Sequence, residues 1–193
     1  MRMVMFLWAA AVATPLAAAD IPDPRLDWSR ALADRFQSEL KTRLTEAMAA
    51  GGPVRAIEVC KADAPAIAAR LSAESGAGVG RTALRLRNPA NAPDAAERAV
   101  LEEFAAQRQH AADAPAQEDF ARAADGSARY MRVIVTQPPC LACHGATLAD
   151  AVRSALAQQY PQDQATGFAV GDLRGAFVIR WPAATAQGDA HEQ

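Results

Sequence analysis

The sequence has no cluster of basic residues and no excess of positive charge. Its formal net charge is −2, with 20 lysine and arginine residues against 22 aspartate and glutamate residues. Proteins that bind nucleic acid concentrate positive charge on one face or stripe, whereas the arginines here are spread along the chain. Nucleic acid is therefore not expected as a partner.

The chain also lacks an apolar run long enough to cross a membrane. The N-terminal run continues for about 11 residues before Pro15, whereas a spanning helix needs about 20. It follows Arg2 and leads to Ala17-Ala18-Ala19, which is the order of charge, apolar run and small residues in a secretory signal peptide. We predict a signal peptide over residues 1–19, cleavage after Ala19, a periplasmic location and no stable membrane span afterwards. The alternative is a retained membrane anchor.

Cysteine is scarce, and its number is odd. The three cysteines are Cys60, Cys140 and Cys143. An exported protein reaches an oxidising compartment, where structural cysteines are expected in disulfide pairs. An odd number, with two of the three in a C-x-x-C motif, indicates a chemical rather than a structural role.

Cys140, Cys143 and His144 form the motif C-x-x-C-H, which is the attachment motif of c-type haem. Two cysteines at this spacing reach the two vinyl groups on one edge of a porphyrin and form thioethers. The adjacent histidine then binds the iron through a ring nitrogen. We predict one covalently attached haem c, with His144 as a ligand of its iron.

Two other interpretations of the motif are open. A thioredoxin-type dithiol would lie where a strand enters a long helix, but Pro138-Pro139 precede the motif and Gly145 follows it. A zinc site needs four ligands. The remaining candidates for it are widely scattered along the sequence: Cys60, His110 and His191.

The spacing of apolar residues predicts an α+β domain over residues 20–182, followed by a loose tail over 183–193. A first long helix ends at Gly51-Gly52, and a second begins at Pro53 and places Cys60 on its buried face. Further helices are predicted over about 94–109 and 148–159, and strands over 81–87, 117–124, 129–136 and 168–181. In the last segment we expect these apolar side chains to point mainly to one side: Leu173, Phe177, Ile179 and Trp181.

The iron of a haem bound at this motif has a second axial position. The candidate ligands are Cys60, Met48, Met131, His110 and His191, and the alternative is that no protein residue fills the position. A buried methionine or cysteine is often only a packing residue, and both histidines lie in polar surroundings. The residues alone leave this ligand open.

Several blocks of the sequence together resemble the DUF3365, or Tll-type, haem-domain family. The blocks are Gly80–Asp94, Arg129-Tyr130-Met131, Cys140–Gly145 and Gly171–Phe177. The resemblance implies a PAS-like central antiparallel sheet flanked by helices, with a long N-terminal helix. It also implies His144 as the proximal iron ligand and Cys60, in the second helix, as the distal ligand.

A cysteine thiolate on the iron favours the ferric state, and a peroxidase would instead keep that position open. We therefore expect a monohaem cytochrome for electron transfer or redox sensing, acting with a redox or signalling partner protein, and not an enzyme. The alternative is a gas- or ligand-sensing haem module that acts through a partner.

Haem propionates need cationic partners. We predict Arg81, Arg85 and Arg87 for this role. Further candidates are Arg129, Arg132 and Arg174. The alternative for each arginine singly is a solvated position on a strand.

Overall fold

The computed structural model describes residues 23–110 and 117–183. The predicted signal peptide, nearly all of the predicted tail, His191 and the side chain of His110 lie outside the described part. The described residues form a four-stranded antiparallel sheet with helices on both faces. This arrangement confirms the predicted α+β class.

The N-terminal helix, α1 (Pro24–Ser75), is a hairpin of two antiparallel halves. The Asp23 carboxylate caps its start by accepting the Arg25 N–H at 3.0 Å. Gly51 and Gly52 leave the helical conformation, as predicted, and Gly52 has a φ of 66° that favours glycine. Three ion pairs join the halves side by side: Arg35–Glu74, Glu39–Arg70 and Arg43–Asp63.

The strands are β1 (Gly78–Thr82), β2 (Glu118–Arg122), β3 (Ala128–Val135) and β4 (Leu173–Trp181). Their order across the sheet is β1-β4-β3-β2, and every neighbouring pair is antiparallel. Asp125 lies in the turn between β2 and β3, where its carboxylate accepts the Ser127 N–H at 2.9 Å. In this order β4, the last described strand, lies in the centre of the sheet between β1 and β3.

The two faces of the sheet are covered by different helices. On one face, the two halves of α1 pack on side chains of β1, β3 and β4. On the other, α2 (Ala95–His110) contributes Leu101 and Phe104. Met131 and Val133 of β3 pack against α2, whereas Tyr130 and Ile134, on the alternate positions, face α1. This alternation confirms the two faces predicted for that strand.

The β4 strand carries a β-bulge at Arg174. Ile134 of β3 lies opposite Gly175, but the next residue, Val135, lies opposite Leu173, which leaves Arg174 as the extra residue. A shift of one residue reverses the side of the sheet to which a side chain points. Leu173 therefore packs on the α2 side, and its predicted place among the other apolar residues of β4 is wrong.

The predicted strand over 81–87 is wrong beyond Thr82, where β1 ends. The alternating leucines and arginines that follow form a loop instead. This loop packs against the segment around Gln164, whose N–H donates to the Leu86 carbonyl at 2.7 Å. Arg85 and Arg87 donate to that segment as well, so contacts distant in sequence override the local strand pattern.

Two short helices follow β3: α3 (Leu141–His144) and α4 (Asp150–Gln159). A third apolar cluster joins α4 and its preceding loop to the second half of α1, with Cys143 at its edge. Its buried members are Ile57, Leu148, Val152, Ala155 and Leu156. Across the described residues, no helix combines the length and the apolar character that a membrane crossing requires.

Candidate cofactor site at the C-x-x-C-H motif

The C-x-x-C-H motif forms a single helical turn. A short 3-10 helix, Pro138–Cys140, leads into α3, and the Gly145 N–H closes the turn by donating to the Leu141 carbonyl at 2.9 Å. An added Cβ at Gly145 would lie 2.7 Å from that carbonyl oxygen. The absence of a side chain at Gly145 therefore allows the chain to leave the turn immediately after His144.

Both thiols of the motif are free and half-buried. The Cys140 sulfur accepts the Gln137 N–H at 3.3 Å, and Cys143 packs against the apolar cluster between α1 and α4. Burial raises the pKa of Cys143, while the charge of Arg87 opposes this shift. Cys143 is therefore a neutral thiol at physiological pH.

The ring of His144 is fixed by contacts with the 165–168 segment. Its Nδ1 lies 2.7 Å from the Ala165 carbonyl oxygen. Because a carbonyl can only accept, Nδ1 carries the hydrogen and Nε2 keeps the lone pair. The Phe168 N–H donates to the His144 carbonyl at 2.9 Å. The Phe168 and His144 rings are nearly perpendicular, and their centres lie 6.2 Å apart.

The environment of His144 keeps its imidazole neutral. Burial lowers its pKa to about 2, and the positive charges of Arg174 and Arg87 lower it further. A neutral imidazole with its Nδ1–H donated to a carbonyl is the arrangement of metal-binding histidines. Nε2 therefore has the protonation state that a metal ligand requires.

Arg174 lies directly beside this histidine. The β4 bulge places its Nε 3.2 Å from Nδ1 and 3.4 Å from Nε2 of His144. Because Nδ1 already carries a hydrogen, Nε2 is the acceptor. Burial lowers the pKa of Arg174 to about 9, with the charges of Arg87 and Arg81 adding to the effect. No carboxylate in the described chain forms an ion pair with this guanidinium.

Two of the predicted propionate partners, Arg81 and Arg85, also lack an ion pair within residues 23–110 and 117–183. Burial lowers the pKa of Arg81, and its guanidinium lies 5.4 Å from the Phe36 ring centre. Arg85 donates to the Gln164 carbonyl at 3.2 Å and lies 4.3 Å from the Phe168 ring centre. Positive charge around the motif is therefore left without neutralising carboxylates.

Arg87, the third predicted partner, is engaged differently. Its Nη2 lies 3.1 Å from the Asp163 carboxylate, and the two side chains are only 13% and 8% exposed. The same nitrogen donates to the Cys143 carbonyl at 2.5 Å and to the Ala165 carbonyl at 3.1 Å. Arg87 therefore links the motif to the loop around Asp163, and its guanidinium is already paired with a carboxylate.

Cys60 lies close to the motif although 80 residues separate it from Cys140. It follows Ile57 of the shared apolar cluster by one helical turn. Burial raises the pKa of its thiol, whereas the charges of Arg81 and Arg87 lower it. A charge on Cys60 in turn raises the pKa of Cys143. The structure thus places the third cysteine near the motif, where it is half-buried rather than on a fully buried helix face.

The other candidates for an axial ligand lie elsewhere or outside the described side chains. Met48 is exposed near the tip of the α1 hairpin, and Met131 is buried under α2. His191 and the side chain of His110 are not described. Of the remaining candidate arginines, Arg129 pairs with Asp119 and Arg132 pairs with Asp34. Where side chains are described, no three His, Cys, Asp or Glu residues converge on a bare metal site.

Sequence reasoning missed Asp163 and the Ala165 carbonyl. Asp163 lies 76 residues from its partner Arg87, and a backbone carbonyl has no sequence signature. The Tyr160-Pro161 and Thr166-Gly167 pairs indicate turns on either side, but they do not reveal an ion pair. Their roles can be recognised only from the structure, which places the Arg87 loop against the loop of Asp163 and Ala165.

Comparison with known proteins places this arrangement in a family. A family model described as Tll0287-like matches residues 22–182. The chain belongs to the Tll0287-like family. The crystal structure of the cyanobacterial haem protein Tll0287 is similar, with 29% sequence identity and a TM-score of 0.65 over 84% of this chain and 97% of that chain. No curated protein matches. The Tll0287-like match includes the whole site from Cys60 to Arg174 and confirms the family resemblance of the sequence blocks.

Proposed function

We propose that this protein is an exported cytochrome that binds one haem c covalently through Cys140 and Cys143, with His144 and Cys60 as axial ligands of the iron. It transfers electrons or senses redox state together with a partner protein and is not a catalyst. The observation that carries the proposal is that one helical turn holds two free thiols and a histidine with its Nδ1–H donated, with Cys60 close enough to affect the pKa of Cys143. The similarity to a haem protein supports it.

The chemistry of the side chains fits a haem. Two thiols suit the vinyl groups, and His144 offers Nε2 to iron. Arg81 and Arg174 form no ion pair with a carboxylate in the described chain, and propionates would supply such partners. When bound, the haem supplies an iron centre that changes its charge by one electron. Arg174 would then be available to donate to a propionate instead of to His144.

The protein residues set the properties of that centre. Cys60, as a thiolate, stabilises the higher positive charge of ferric iron and lowers the reduction potential. His144 is held in one tautomer by Ala165, so its Nε2 needs no proton loss to bind. The apolar cluster around Ile57 and Leu148 limits the access of water on the side of Cys143.

The proposed covalent attachment predicts a mature mass equal to the chain plus one haem. The haem should stay with the protein in acid–acetone, because thioethers survive that extraction. The double variant Cys140→Ala/Cys143→Ala should release its haem, and Cys60→Ala should retain it. A wild-type mass equal to the bare polypeptide, or haem lost to the solvent, would contradict the proposal.

The proposed export predicts an N-terminal sequence of Asp20-Ile21-Pro22 in the periplasmic product. N-terminal sequencing of that fraction measures the cleavage site. A variant that lacks residues 2–19 should stay in the cytoplasm and contain no covalent haem, because attachment normally takes place outside it. An uncleaved cytoplasmic protein with attached haem would show that the proposed location is wrong.

A further inference from the structure

The Ala165 carbonyl oxygen accepts two hydrogen bonds, one from each side of the site. The first comes from His144 Nδ1 at 2.7 Å and the second from Arg87 Nη2 at 3.1 Å. Ala165 is itself fully buried. The position of this one oxygen therefore determines both the orientation of the imidazole ring and the strength of the bond that it makes.

Asp163 controls the position of that oxygen. Its Oδ1 accepts the Ala165 N–H at 2.8 Å, which holds the peptide from one side. The same carboxylate binds Arg87 Nε at 3.2 Å and Nη2 at 3.1 Å, which directs the guanidinium onto the Ala165 carbonyl. Charged hydrogen bonds at buried sites are strong and directional. One carboxylate thus fixes both the peptide and the arginine that contact His144.

We propose that Asp163 is a positioning residue for the iron ligand. Acting through Arg87 and Ala165, it fixes the ring plane of His144 and the strength of its Nδ1 hydrogen bond. The inference rests on the proposed haem, because the ring plane of an axial imidazole matters only when the ring binds iron. Asp163 contacts neither His144 nor the thiols, so its effect is indirect.

The ring plane has a direct spectroscopic signature. In low-spin ferric haem, the orientation of an axial imidazole sets the spread of the electron paramagnetic resonance g-values. The strength of the Nδ1 hydrogen bond sets how much electron density the ring gives to iron, and thereby shifts the reduction potential. A loop that only contributes to folding stability would move neither quantity.

The test compares the ferric g-values of the wild-type holoprotein with those of Asp163→Asn and Arg87→Lys. Asp163→Asn keeps an oxygen for the Ala165 N–H but loses the charged pair, so the g-values should shift and the midpoint potential should rise. Arg87→Lys keeps the charge but cannot reach the carboxylate and both carbonyls at once. It should therefore shift the g-values too. Because the charge is kept in this variant, such a shift comes from the lost contact geometry.

The matched control is Asp119→Asn. Asp119 pairs with Arg129 at 3.1 Å between β2 and β3, in another partly buried ion pair. It should leave the g-values unchanged. The inference is overturned if Asp163→Asn or Arg87→Lys has the wild-type g-values, or if Asp119→Asn shifts them equally. Arg87→Lys decides alone if Asp163→Asn fails to accumulate. A wild-type protein without haem would instead overturn the proposed function, and mass measurement of the same sample distinguishes the two failures.

Discussion

Replacing Cys60 with serine should leave the haem attached but change the spin state of its iron. In the proposed cytochrome the thioethers come from Cys140 and Cys143, so attachment does not depend on Cys60. A serine hydroxyl is a far weaker ligand than a thiolate. Ferric iron should therefore change from low-spin to high-spin or take up water. Loss of the thiolate charge should raise the midpoint potential by about 0.1 V or more, because axial ligands set haem potentials over about 0.8 V.

Optical spectra of both oxidation states and a potentiometric titration measure this change. Met131→Leu is the control, because it keeps the volume of a buried side chain on the opposite face of the sheet. It should leave the spectrum unchanged. If Cys60→Ser keeps the wild-type ferric spectrum and potential, Cys60 is a packing residue and the proposed ligand pair is wrong.

The same variant separates redox chemistry from the sensing of small molecules. Cys60→Ser should bind added cyanide or imidazole more readily than the wild type, because the position above the iron is then open or filled by water. A wild-type protein that binds carbon monoxide as readily as the variant when reduced would favour the alternative, a gas-sensing module. Titrations of the two proteins side by side measure the difference.

Replacing Gly175 with alanine should destabilise the protein by about 3 kcal/mol, which is the upper part of the range for overpacking. An added Cβ would lie 2.4 Å from the Thr82 carbonyl oxygen and 3.0 Å from the Ala83 Cβ. Backbone of a neighbouring strand cannot move away as a flexible side chain can. A loss of this size should lower the melting temperature by about 10 °C.

Urea unfolding of the holoprotein measures the change, with Gly80→Ala as the matched control. Gly80 also lies in the β1–β4 pair, but its added Cβ would approach nothing closer than a Val178 methyl at 3.7 Å. That variant should lose less than about 1 kcal/mol. Equal losses in the two variants would show that the close approach at Gly175 is not what makes glycine necessary there.

Features that depend on a few neighbouring residues could be predicted from the sequence. The break at Gly51-Gly52 follows from backbone freedom, and the two faces of β3 follow from the alternation around Tyr130. The C-x-x-C-H motif is equally local. The apolar spacing of its helix predicted a buried face for Cys60, which the structure shows as half-buried.

Features that depend on distant segments could not be predicted. The loop after Thr82 has the pattern of a strand, but its arginines find partners about 80 residues away at Asp163 and Gln164. The bulge at Arg174 reverses Leu173 without any local signal that distinguishes it from regular alternation. Asp163 has no motif, because its role comes from the loop opposite.

The central place of β4 makes the sheet depend on a strand from the end of the described chain. Of the described strands, only β2 and β3 can pair without β4, because β1 has no other neighbour in the sheet. Such long-range closure is slow compared with hairpin formation. Cys140, Cys143 and His144 precede β4 in the chain, whereas Arg174 arrives with it. The strand that completes the sheet therefore also brings Arg174 to the histidine of the motif.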